Sequence, residues 1–265
     1  MEESVLFALI HIFAIVSTIN PLSISTRGKK ILRGFLRRYL LNREFEEKYY
    51  NLFENNLAFY SNELKKIDRS DLSDENSLIS FQITNICRQI NKGLSMEERT
   101  IVFLRLVELT SEDWVMTSQE KNIIDIVAKT FKISKKEYDN ATAFIIGRSY
   151  DDISTDCILI IESDDTNLSG ANIYKNYDKW IHIRHDGFKG RLIILHIESA
   201  RVLFAVYDGP LALNFEEKDV IAGRPFLLEN DGHITGQAIE PIYYSQIYEK
   251  FESRQLPKKI AFEEQ

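Results

Sequence analysis

Apolar positions in the first half of the chain recur every three or four residues. In the second half they fall in short runs broken by turn residues. From residue 4 to about 148 the helical period dominates and predicts helices near 4–18, 27–41, 44–66, 77–92, 96–110, 118–132 and 135–148. Ser95, Thr117 and Ser134 are each followed three positions on by a glutamate (Glu98, Glu120 and Glu137), the spacing of a capping box at a helix start. Lys65–Asn76 is polar and charged and reads as a mobile connection rather than an element. Val5 to Val16 is apolar except for His11. As a helix such a run rises about 18 Å, short of a bilayer core of about 30 Å. Glu2 and Glu3 lead it, where a signal peptide wants Lys or Arg. It predicts a buried helix and no transmembrane segment.

After Asp151 the pattern changes. Runs at 157–161, 180–184, 192–197, 202–207, 211–214 and 226–228 have strand character, with turns at 185–190, 208–210 and 230–232. Turn signals this regular predict an antiparallel sandwich. Tyr243 to Phe251 reads as a short amphipathic helix, and Lys258 to Glu263 alternates like the start of another strand. The fold class is therefore α+β in two domains. Residues 1–150 form an all-helical domain, and residues 151–265 form a small antiparallel β-sandwich with a C-terminal helix.

The helical half carries an internal echo. At an offset of 92 residues, Ile24-Ser25-Thr26 aligns with Met116-Thr117-Ser118, Lys29 with Lys121, Ile31 with Ile123 and Tyr39 with Phe131. Two helix–loop–helix pseudo-repeats are the reading.

Charge separates the halves further. The chain has 33 Lys plus Arg and 40 Asp plus Glu, a formal charge of −7, which disfavours general nucleic-acid binding. Residues 1–150 are close to neutral, so the acidic excess belongs to residues 151–265. Within the helical half, Arg27, Lys29, Lys30, Arg33, Arg37, Arg38 and Arg43 follow one another with no acid among them. A solvated helix face is the plain reading of that stretch. As a binding face, Arg27, Lys30, Arg33, Arg37 and Arg38 would meet anionic headgroups, an acidic partner or the acidic second domain. Tyr243 and Tyr244 are further partner-facing candidates, against packing of the last helix on the sheet.

Catalytic signals are thin. Cys87 and Cys157, seventy positions apart, form neither a disulfide framework nor a zinc pattern, and read as buried thiols. His182 and His185 stand three apart, which on a strand places them on opposite faces and suits one metal poorly. The sequence contains no nucleophile elbow and no Gly-x-x-x-x-Gly-Lys-Ser/Thr loop. No enzyme activity is expected of residues 1–265.

The loop and cap Asp113, Met116, Thr117 and Glu120 resemble the TerB-like family, the helical domains of tellurite-resistance proteins. That family has an acid after the first helix, then an apolar residue, a Ser or Thr, and a Glu three positions on. Trp114 stands where the family usually has Gly. The resemblance implies a divalent-cation site with Glu112, Asp113 and Glu120 as ligands, since hard cations want clustered oxygens. The first repeat departs from the pattern, with Asn20, Pro21 and Gly28 at the matching positions. As the fourth residue of a capping box, Glu120 also has a purely structural reading.

The order of parts carries a second resemblance. A TerB-like domain, a β domain, the segment Pro241-Ile242-Tyr243-Tyr244-Ser245 and a strand like Ile260–Glu263 are similar to the N-terminal region of certain bacterial ABC transporter ATP-binding proteins. The β domain, around 214–226, also resembles a forkhead-associated (FHA) sandwich, though the phosphopeptide-reading Arg and Ser of FHA domains have no match. These resemblances imply a cytoplasmic, non-catalytic regulatory or docking module, peripheral to the inner membrane through a C-terminal extension. Its partner would be a protein or a membrane transporter subunit, with a homodimer as a further candidate and no cofactor beyond the candidate metal. The alternative is a stand-alone TerB-like stress or envelope-associated binding protein, with or without a divalent metal.

Overall fold

The computed structural model describes residues 3–19, 29, 32–34, 36–37, 40, 43–66, 72–110, 117–147, 149–163, 173–216, 218–237 and 239–255. The chain divides into two compact units between Arg148 and Ser149. It is α+β: helices occupy the first unit, and two sheets with a C-terminal helix occupy the second.

The helical unit contains α1 (Glu3–Ile19), α2 (Arg43–Lys66), α3 (Leu72–Gly93), α4 (Met96–Thr110), α5 (Ser118–Phe131) and α6 (Lys135–Thr142). Positions 29, 32–34 and 36–37 are also helical. The apolar α1 is the centre of the unit. Leu9, Ile10 and all residues from Ile12 to Val16 are buried, and α2, α3, α4 and α5 pack around them. A helix apolar on all sides has this place in a bundle. The surrounding helices bury single stripes, such as Tyr49, Phe53, Leu57 and Tyr60 on α2 and Ile83, Cys87 and Ile90 on α3. Among the described residues no helix is long and apolar enough to cross a membrane.

Two helical expectations are corrected. Leu72 to Asn76, read as connection, form the first turn of α3. Ser73, Asp74 and Glu75 lie there, and acids and serine suit a helix N-terminus. The helix expected over 135–148 is α only to Thr142 and continues as one π-turn from Ala143 to Gly147.

Among the described residues the β unit holds nine strands: β1 (Ile158–Glu162), β2 (Ile181–Arg184), β3 (Arg191–Ile197), β4 (Val202–Asp208), β5 (Leu213–Phe215), β6 (Lys218–Val220), β7 (Pro225–Leu228), β8 (His233–Gly236) and β9 (Ile239–Tyr243). α7 (Tyr244–Gln255) follows. One sheet has the order β2-β1-β3-β4-β7, the other β6-β5-β8-β9. Their shared core takes Leu159, Ile194 and Ala205 from the first sheet, Leu213 and Ile234 from the second, and Ile247 and Phe251 from α7.

The all-antiparallel expectation fails at one pair. β1 and β2 run parallel, with Leu159 opposite Ile181 and Glu162 opposite Arg184. The connection between them, residues 163–180, is long enough for the crossover that parallel strands require. β6, β8 and β9 carry no apolar run that would mark them, since only Ile234 and Ile242 are buried there, and Tyr243 ends β9 rather than opening the helix. The strand expected at 258–263 and the first pseudo-repeat loop, 20–28, lie outside the described residues.

Candidate functional site

The basic stretch meets carboxylates of its own unit. Lys29 Nζ lies 2.8 Å from Glu54 Oε1, Arg33 Nη2 lies 3.7 Å from Glu47 Oε1, and Arg37 Nε lies 2.9 and 3.0 Å from the two oxygens of Glu46. The Arg33 guanidinium also sits 4.0 Å above the Tyr50 ring. The cations recur every four residues on a helix, while their partners descend α2 in the opposite direction, so the ladder is that of an antiparallel helical pair. Burial pushes the Glu54 carboxyl up, but hydrogen bonds from Lys29 and Tyr50 outweigh it and hold the group below its ordinary value. Arg27, Lys30 and Arg38 lie outside the described residues.

Glu120 is buried and belongs to a complete capping box. Its Oε2 accepts from the Thr117 backbone N–H and hydroxyl, each at 2.8 Å, and Thr117 Oγ1 accepts from the Glu120 N–H at 3.2 Å. A carboxylate in this position is engaged by the helix start, which fits the cap and fits poorly with coordination of an exchangeable cation. Glu112 and Asp113, the other candidate ligands, lie outside the described residues. Among the described residues no group of three or more His, Cys, Asp or Glu is placed to hold a metal ion.

The two tyrosines diverge. Tyr243 is 47% exposed and stacks on the His233 ring. Tyr244 turns back, donating its hydroxyl to the Arg201 carbonyl at 3.1 Å and stacking on Tyr248 against the core. Of the pair, only Tyr243 presents its ring outward.

A polar cluster that the sequence reading missed lies at the ends of β1 and β2. The fully buried Glu162 accepts from Arg184 Nη1 at 2.8 Å and from the Tyr177 hydroxyl. Arg184 Nη2 donates to Tyr177 Oη at 2.7 Å. His182 Nε2 lies 2.8 Å from the Tyr177 carbonyl, which only accepts, so the imidazole carries its hydrogen there and turns Nδ1 toward Glu162 Oε1 at 3.6 Å. Burial and the bond to Glu162 push the Tyr177 hydroxyl above its ordinary value. In the sequence Glu162 only ends an apolar run, and nothing there shows that Arg184 stands beside it. His185, by contrast, sits in the following turn with Nδ1 near the Asp186 carbonyl, so the two histidines share no ligand.

No protein-family model, curated protein or solved structure matches the chain.

Proposed function

We propose that this chain is a non-catalytic regulatory or docking module, of the kind that precedes the ATP-binding domain in ABC-type transporters. The observation that carries the reading is the order of its two units: an all-helical unit, then a two-sheet β unit closed by α7. In the resembling proteins a TerB-like domain and a β domain stand in that order ahead of the ATPase. The capping box of Thr117 and Glu120 supports the TerB-like half, and the two facing sheets support the FHA-like half. On this reading the module works by contact, against a protein partner or the transporter itself, on the cytoplasmic side of the membrane. Tyr243 is the aromatic anchor it offers from the β unit.

The test is the natural reading frame beyond Gln265. A Gly-x-x-x-x-Gly-Lys-Ser/Thr loop downstream supports the proposal, and ATP hydrolysis by the longer protein should then change when residues 1–265 are deleted. A stop codon at that point, or a downstream domain of another class, defeats it.

A further inference from the structure

α5 and α6 enclose an open groove of about 590 Å³ in the helical unit. That size is ordinary for a ligand site. Its floor is apolar, with Ala128, Ile133 and Ile146 beside the Tyr138 ring. Its rim is cationic. Lys121 and Lys129 are exposed on one face of α5, two turns or about 12 Å apart. The groove also holds two acids. Asp125, midway between those lysines, accepts from the Tyr138 hydroxyl, and Asp139 pairs with Lys135. Lys121 and Lys129 have no ion-pair partner among the described residues. Both walls are fixed at their starts by complete capping boxes, Thr117 with Glu120 and Ser134 with Glu137. Lys132, in the left-handed conformation, closes α5 between them.

We propose that this groove docks an acidic peptide segment of a partner protein, with one branched apolar side chain on the floor and carboxylates on Lys121 and Lys129. Two ammonium groups against the single carboxylate of Asp125 leave a net positive rim over an apolar floor, which complements that pattern and disfavours a basic segment. This rests on the reading of the chain as a docking module only in taking the occupant to be a peptide. The reading-frame test fails or succeeds independently of it.

The experiment uses the full chain and a fluorescein-labelled peptide with a central Leu between two runs of Glu, followed by fluorescence anisotropy. A matched peptide with Gln in place of Glu is the control. We expect saturable binding of the Glu peptide, weakened by roughly ten-fold or more in the Lys121→Glu/Lys129→Glu variant. Reversal of Lys175 and Lys250, two exposed lysines of the β unit, should leave affinity within about two-fold. The groove lysines are exposed, so an unchanged circular dichroism spectrum is expected of the first variant. The proposal is overturned by absence of binding, by equal binding of the Gln peptide, or by equal losses in the two double variants.

Discussion

Glu162 and Arg184 stand directly opposite each other in the parallel ladder of β1 and β2, and Arg184 Nη1 donates to the fully buried Glu162 Oε1 at 2.8 Å. The guanidinium side chain is 38% exposed. The pair is therefore asymmetric: the acid has lost its water, while the base keeps part of its own.

That asymmetry sets the mutational order. Arg184→Met leaves a buried carboxylate with the Tyr177 hydroxyl but without its cation. Its cost should be about 2 kcal/mol, below the 3–5 of a fully buried pair. Adding Glu162→Gln should recover part of the loss, because the stranded charge is gone. Urea unfolding followed by Trp180 fluorescence, in a Trp114→Phe background, reads the β unit. A double variant less stable than Arg184→Met would contradict this account.

Tyr207 holds the turn before β3 against the turn after β4. Its buried hydroxyl donates to the Lys189 carbonyl at 2.7 Å and accepts from the Leu211 N–H at 2.9 Å. Tyr207→Phe removes a partner from two backbone groups and should cost about 1–3 kcal/mol. Gly209 lies so close that an added Cβ would stand 2.4 Å from Tyr207 Oη and 2.5 Å from the Lys189 oxygen. Gly209→Ala should therefore destabilise the β unit at least as much, read by the same Trp180 signal.

The capping box gives a local test in the helical unit. Thr117→Ala removes the side-chain cap on α5 and a donor to the buried Glu120, so a loss of about 1 kcal/mol or more is expected. Thr117→Ser should recover most of it. Thermal unfolding by far-UV circular dichroism checks both. Calcium added to the full chain should not raise the melting temperature if Glu120 serves only the cap.

Acid should loosen the ladder between α2 and the preceding helical positions. The folded value of Glu54 is depressed, so its contribution is present above the unfolded carboxyl value of about 4.3 and is lost as pH falls through the folded value. Lys29→Met removes the principal hydrogen-bond donor and leaves burial to raise the group. Its acid-unfolding midpoint should shift to higher pH. Both side chains are about one-third exposed, so the stability change near neutral pH should stay within about 1 kcal/mol. Midpoints measured by circular dichroism in wild type and variant decide the sign.

Cys87 is fully buried on α3, and burial pushes its thiol up to about 12. At pH 8 it stays protonated as well as inaccessible, so it should resist a thiol-specific aromatic disulfide until the helical unit opens. In a Cys157→Ser background, the reaction rate should rise with urea in step with loss of helical signal. Rapid labelling in native buffer would contradict the burial.

The sequence determined most of the local structure. The period of Tyr49, Phe53, Leu57 and Tyr60 predicted α2 without reference to its neighbours, and the Thr117–Glu120 and Ser134–Glu137 spacings located the starts of α5 and α6 to the residue. Helical periodicity and capping act within a few positions, so a single chain segment carries the whole signal. The nearly unbroken apolar run of α1 likewise announced its burial.

Tertiary structure decided which groups met. Whether Lys29, Arg33 and Arg37 formed a free basic face depended on α2 returning antiparallel beside them with Glu54, Glu47 and Glu46 in reach. The parallel pairing of β1 and β2 joins two segments well apart in the sequence, and only that pairing set Arg184 against Glu162. Lys121, Asp125 and Lys129 stand four apart in the sequence, which puts them on one helix face. That face becomes the rim of a groove only because Tyr138 and Asp139 of α6 line the same space. Charges are recognised by what lies across space from them, and no spacing along one strand or helix contains that information.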